Sequence, residues 1–353
     1  MPSSHSATAP VPSSLGFYMP PEWHAHEATW LSWPKNKLTF PPRLMGAVED
    51  LFTGMAEALS DNEKVNILVD DEKTAERVRK RLELAGANDS NVHFHFILSA
   101  DVWIRDYGPT FLLHKKSAER ACVKWEFNAW GNKYEDLIAD SKTGEPIAQA
   151  SGVRIFHPNI VMEGGSIDSD GAGRLLTTKQ CLLNKNRNPQ LNQSQISQYL
   201  RDYLSVSEII WLSSGIEGDD TDGHVDDFAR FFGEGRVLCN VAEGKADANT
   251  AVLRENENLL RSRTDLHEIV RLPMPKALVD EEENRRLPAS YANFYVANKV
   301  VLMPAFGDEK DDEASEILAS CFKGREIVPL EAKELVFGYG GIHCVTQQEP
   351  KRA

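Results

Sequence analysis

Cysteine is scarce in this chain. Its five cysteines, Cys122, Cys181, Cys239, Cys321 and Cys344, are an odd number in 353 residues and form no C-x-x-C pair. That argues against a disulfide framework or a zinc knuckle and makes a reducing cytoplasm the natural compartment. Long apolar runs are also missing: none approaches the ~20 residues a membrane span requires, so no membrane partner is expected. Positive charge is in short supply, with 39 Lys and Arg against 53 Asp and Glu and a net charge of -14. Such a balance repels nucleic acid and anionic lipid and attracts small cations, although a charge serving only solubility accounts for it equally well. Residues 1–14, rich in Ser, Pro and Ala, lack the basic region and apolar core of a signal peptide and are expected to be a disordered tail.

What is present alternates. Helical periodicity runs over Pro42 to Leu59, Asp71 to Leu84, Gln190 to Leu204, Ala246 to Arg261 and Asp311 to Phe322. Between these lie short β-rich runs such as Val65 to Val69, Arg174 to Thr178, Val237 to Val241 and Val300 to Met303, bounded by Gly, Asn, Asp or Pro. One shape recurs: a polar or Gly-containing turn, a strand, a tight turn and a second strand. It occurs at Arg105 to Leu113, Glu163 to Thr178, His224 to Val241 and Tyr291 to Met303, and more faintly at Gly340 to Thr346. Asp106 to Glu163 is 57 residues, Glu163 to His224 is 61, and His224 to Cys344 is 120, about twice that. A repeated period implies one supersecondary unit used several times, with its turns converging on one face.

Four turns concentrate ionisable groups. Gly338-Tyr339-Gly340-Gly341-Ile342-His343-Cys344 ends a glycine-rich tract in a thiol, and glycines let a flat group approach the backbone closely. A thiolate is the strongest ordinary nucleophile, whereas a buried structural cysteine is the plainer explanation. Asp106 sits among aromatics before Gly108-Pro109, where it could equally cap a turn. Glu163 is followed by Gly164 and Gly165, and the tract 218–227 holds five aspartates and His224. If His224 to Asp226 is extended, the two side chains point the same way. The tract lacks the spacing of a calcium loop. His224, Asp226, Glu163 and Cys344 could instead be four zinc ligands. The excess of carboxylate around a thiol suits a guanidinium best, because its planar fork of N–H donors pairs bidentately with carboxylates.

The ordered motifs Met19-Pro20-Pro21-Glu22-Trp23, T-W-L-S-W-P at 29–34, W-I-R-D-Y-G-P-T at 103–110, F-N-A-W-G at 127–131, E-G-G at 163–165, D-D-T-D-G-H-V-D at 219–226, L-P-A-S-Y-A-N-F at 287–294 and G-G-I-H-C-V-T-Q-Q at 340–348 extend over nearly the whole chain. In them the chain resembles the agmatine deiminases and bacterial-type peptidylarginine deiminases of the guanidino-group-modifying, or pentein, superfamily. The resemblance implies an α/β fold: a pentein five-bladed propeller of ββαβ-type repeats with pseudo-fivefold symmetry, here one catalytic domain over residues 15–350. It also implies roles. Cys344 matches the nucleophile, His224 the general acid/base, Asp106 and Asp226 the pair holding the guanidinium, and Glu163 a further acid that hydrogen-bonds it. Trp103 matches an aromatic beside the substrate and Asp220 a contact to the distal amine; Gly341, lacking a side chain, is read as part of the floor on which a planar substrate lies.

The implied reaction is hydrolysis of agmatine to N-carbamoylputrescine and ammonia, a step of putrescine biosynthesis, through a covalent thiouronium, with neither metal nor organic cofactor. The sequence departs from the commonest family pattern at Tyr339, Gly341, Asn132 and Asp220, which bears on the substrate rather than on the chemistry. Peptidyl or free arginine is the alternative substrate, a zinc hydrolase or a catalytically silent guanidine binder the alternative class. Assembly leans to a homodimer.

Overall fold

Helix and strand alternate along the chain in the computed structural model, which describes residues 10–242 and 247–352. Five sheets share one pattern, an antiparallel strand pair continued by a parallel strand that is reached through a helical crossover. The strands that make the pattern are, in order, Thr110–His114, Arg120–Val123 and Arg154–Phe156, with Phe17–Tyr18 added at the edge; Ile167–Ser169, Arg174–Thr178 and Glu208–Leu212; Ala229–Gly233, Arg236–Val241 and Glu268–Pro273; and Tyr295–Val296, Val300–Ala305 and Glu326–Glu331. The fifth joins distant parts of the chain. Gln347–Pro350 lies antiparallel to His26–Ser32, which continues in parallel to Lys64–Leu68 and Val92–His95. A separate two-stranded hairpin, Val279–Asp280 with Arg285–Arg286, stands outside the pattern.

All five helices expected from periodicity form, at Pro42–Ser60, Glu72–Ala85, Gln193–Leu204, Asn249–Arg261 and Asp311–Cys321. Ala246, where the fourth was expected to begin, lies outside the described residues. Asp71 caps the second helix by accepting from Thr74 N at 2.7 Å, and Gly86 ends it in the left-handed conformation at φ +89. Asn192 and Gln195 form a reciprocal capping box on the third, which therefore starts three residues later than expected. The apolar stripe of the first helix, Val48, Phe52, Met55 and Leu59, is fully buried in the core.

Pro12–Leu15 form one 3-10 turn that overlaps the end of the segment expected to be a tail; residues 1–9 of that segment lie outside the described residues. No helix among the described residues is long and apolar enough to cross a membrane.

The feature that positions the site is repeated five times. Just before the first strand of each sheet pattern comes a tight turn: Ile104–Tyr107, Gly164–Ser166 after Glu163, Val225–Asp227 after His224, residues 290–293, and residues 342–345. These carry Asp106, Glu163, His224 with Asp226, Asn293 and Cys344.

Candidate active site

Cys344 is buried, with 5 % of its surface exposed, at the inner end of a cavity of about 300 Å³ that Trp103, Asp106, Trp130, Tyr339 and Gly340 also line. Its Sγ accepts from Asn293 Nδ2 at 3.3 Å and lies 4.0 Å from Asp226 Oδ2. Burial, then Asp226, Asp227 and Asp106, push the thiol well above its ordinary pKa. Both effects favour the thiol over the thiolate in the resting site.

Asp106 is fixed by two donors, Gly165 N at 2.9 Å and the Trp130 indole at 2.9 Å. The Trp130 contact depends on an unusual backbone, since Ala129, Trp130, Gly131 and Asn132 all have positive φ, between 51° and 91°. Asn tolerates the left-handed region better than most residues, which explains how Asn132 can stand at that position. Burial raises the Asp106 pKa despite the opposing field of His224.

His224 is fully buried, with Nδ1 3.8 Å from Asp106 Oδ1, an ion-pair distance rather than a hydrogen bond. Burial disfavours its charged form, but Asp106, Cys181 and Asp226 outweigh that and raise its pKa well above the usual value. The stretch from His224 to Asp226 is not extended as expected; Val225–Asp227 is a 3-10 turn. The two side chains converge nonetheless. A Cβ added to Gly165 would stand 2.6 Å from His224 Nδ1, 2.9 Å from Asp226 Oδ2 and 3.1 Å from Asp106 Oδ1, so that glycine is the point against which all three pack.

The aspartate tract has a structural member. Asp219 accepts from Thr221 N and Gly223 N, both at 2.7 Å, and from His224 N at 3.1 Å, folding the loop that presents the histidine. Glu163 receives Arg187 Nε at 2.6 Å. Arg187 also donates to Trp130 O at 3.1 Å, Asp222 Oδ2 at 2.5 Å and Thr221 O at 2.8 Å, which ties three site segments together. Sequence reasoning missed Arg187, and nothing in its polar surroundings marks it.

Asn293 was missed as well, although a signal for it existed. The interval of 120 residues between His224 and Cys344 is two steps, and Asn293 falls on the turn between them. Its Oδ1 accepts from His343 N at 2.9 Å and Cys344 N at 3.3 Å, while Nδ2 also donates to Asp227 at 2.9 Å.

The glycines serve neighbours that the sequence did not reveal. A Cβ on Gly341 would stand 2.4 Å from Asn293 Oδ1, and one on Gly340 would stand 2.4 Å from the Trp103 ring. Gly340 lines the cavity beside Cys344, whereas Gly341 faces Asn293. At the outer wall Asp220 receives Arg285 Nη2 at 3.0 Å and the Tyr134 hydroxyl, the Arg285 guanidinium lies 4.0 Å from the Tyr339 ring centre, and the Tyr339 hydroxyl donates to Glu283 at 2.8 Å. The four residues weighed as zinc ligands do not gather into one set among the described residues. Glu163 and His224 group with Cys181, and Cys344 groups with Asp226 and Asp227.

Among the described residues, seven buried side-chain polar atoms have no hydrogen-bond partner, and four of these are Glu163 Oε2, Asp226 Oδ1 and both ring nitrogens of His224. Buried polar atoms rarely stay unpaired without a reason. The sequence profile of the Porphyromonas-type peptidyl-arginine deiminases matches residues 18–350. The chain belongs to that family. A putative agmatine deiminase of Legionella pneumophila is 40% identical over 348 residues, 97% of each chain. An agmatine deiminase of Medicago truncatula is 36% identical over 374 residues, 96% of this chain and 98% of the other. The solved structure of the Enterococcus faecalis agmatine deiminase superposes with a TM-score of 0.88 at 31% identity, covering 98% of this chain and 99% of that one.

Proposed function

We propose that the protein is an agmatine deiminase, hydrolysing agmatine to N-carbamoylputrescine and ammonia in putrescine formation. The observation that carries this reading is the set of unpartnered buried atoms on Glu163, Asp226 and His224 beside a thiol. Acceptors on two carboxylates match the N–H donors of a planar guanidinium, and Asp106 adds a third acid at the inner end of the cavity. Held there, the guanidinium carbon lies over Cys344 Sγ, so attack becomes a positioned step.

In this reading the bound cation offsets the acids that hold the thiol protonated, and Cys344 releases its proton to solvent as the substrate enters. The sulfur adds to the guanidinium carbon, His224 protonates the departing nitrogen, and ammonia leaves a thiouronium on Cys344. Water then gives one proton to His224 and adds to the same carbon; the sulfur leaves with the remaining hydroxyl proton, restoring the thiol and forming the urea. No step calls for a metal or an organic cofactor.

Agmatine is favoured over arginine by the outer cavity, where Asp136, Asp220, Asp280, Glu282 and Glu283 line the wall. An ammonium is welcome there and a carboxylate is not. Arg285 is already paired with Asp220, and Arg43, which also lines the cavity, is paired with Glu282. Ammonia release from agmatine, arginine and a blocked arginine peptide tests the choice: turnover of agmatine alone is expected, and comparable turnover of the peptide would overturn it.

The shared ββαβ pattern supports reading the five sheets as blades of a propeller with pseudo-fivefold symmetry, in one domain over residues 15–350. Five unpaired thiols support a reducing cytoplasm as its location. A homodimer is our proposal for the assembly, to be checked by light scattering.

A further inference from the structure

His343, next to the nucleophile, does not touch the cavity and has no part in the chemistry above. It is nevertheless the most tightly bound histidine of the site. Its Nδ1 lies 2.7 Å from Asp226 Oδ2 and its Nε2 lies 2.6 Å from Glu22 Oε2, with all three residues buried. Glu22 comes from the Met19-Pro20-Pro21-Glu22-Trp23 motif. It is anchored in turn by Arg230 Nη2 at 2.8 Å, by Val296 N at 2.8 Å and by Arg105 Nη2 at 3.4 Å.

Ionised carboxylates only accept hydrogen bonds, so a ring between two of them must donate from both nitrogens. Burial opposes ionisation of Glu22, but Arg230, His343 and Arg105 beside it hold its pKa well below the ordinary range. Asp226 is likewise held low, against the effect of burial, by its bond to His343.

We propose that His343 is a positioning residue: a ring clamped between Glu22 and Asp226 that fixes Asp226 Oδ2 and leaves Oδ1 for the guanidinium. Asp226 Oδ1 is the buried oxygen of that carboxylate with no partner. Without the clamp the carboxylate could rotate about its terminal torsion, which is broad and weakly restrained, and its two oxygens would exchange roles. The ring is itself pinned from the main chain, since His343 N donates to Asn293 Oδ1 at 2.9 Å. The result is a relay of fixed groups from the Arg105 and Arg230 guanidinium groups through Glu22 and His343 to Asp226.

This inference rests on the guanidine-binding reading above, and its test separates the two. Binding is measured in the Cys344→Ser background for His343→Ala, Asp226→Asn and the double variant. The substrate is whichever of agmatine, arginine or blocked arginine peptide the unmodified enzyme turns over. Breaking a buried charge pair costs about 30-fold or more in affinity, so each single variant should lose about that much. Because His343 acts through Asp226, the double variant should bind within about threefold of Asp226→Asn alone.

Losses that multiply, or His343→Ala binding like its parent, would overturn the proposal, because a merely structural histidine predicts independent effects. Should His343→Ala fail to fold, His343→Gln carries the same cycle and keeps one donor. Turnover of the peptide in place of agmatine sinks the substrate assignment and leaves the cycle readable; turnover of none of the three sinks both.

Discussion

The inner and outer halves of the cavity are built differently. Inside, Cys344 and Asp106 line the cavity and His224, Asp226 and Glu163 are buried beside them; each is at most 5 % exposed, and all stand on turns that open a repeated sheet pattern. Outside, the Asp220 and Arg285 side chains are 21% and 36% exposed, and the residues come from loops and from the hairpin Val279–Asp280 with Arg285–Arg286, which belongs to no repeat. In the proposed reading, the chemistry sits where the fold is over-determined, whereas discrimination between substrates sits where change costs little stability.

That contrast sets a scale of effects. At its deepest point, Cys344→Ser and His224→Ala should each lower kcat on the order of 10⁴-fold or more, while Cys122→Ser and Cys239→Ser keep most activity in the same ammonia assay. The resting thiol gives the next effect. A pKa held well above its ordinary value means that the thiolate fraction, and with it alkylation of Cys344 by iodoacetamide, rises about tenfold per pH unit between pH 7 and 9. A rate already at its plateau at pH 7, measured by mass spectrometry of the labelled peptide, would refute this.

Gly341→Ala pushes on Asn293 rather than on substrate and should cost about 100-fold in kcat/KM through displacement of the nucleophile; a change in KM alone would place the residue in the outer half after all. At the mouth, Asp220→Asn should raise the KM for agmatine about tenfold with kcat little changed, and leave the KM for an alkylguanidine without a distal amine where it was. Smallest of all, Arg285→Gln should alter the agmatine KM by no more than about fivefold, since its pair with Asp220 is partly exposed and screened.

Much of the inner half was legible in the sequence. Period, turn composition and the surplus of acid around a thiol pointed to Asp106, Glu163, His224, Asp226 and Cys344, and the five helices fell within a few residues of their periodic stretches. What escaped were residues whose meaning is purely spatial. Arg187 lies in a polar tract without pattern, and Glu22 and His343 meet across 321 residues of sequence. The space beside Gly341 looked like room for a flat ligand because composition cannot say which neighbour fills it; Asn293 does, whereas Gly340 does line the cavity. The local geometry of His224 to Asp226 was also misjudged, since Asp219 folds that tract into a turn instead of a strand.

The seam between Gln347–Pro350 and His26–Ser32 has a consequence for how activity is lost. Trp30 Nε1 bonds Glu349 Oε2 at 2.8 Å across 319 residues, and Cys344 lies just three residues before that seam. Contacts so distant in sequence close late and are candidates to open early. Mild denaturant that peels this one strand away would displace the sulfur while most tryptophan fluorescence is unchanged, so that loss of turnover should precede the spectroscopic transition and report on a single join.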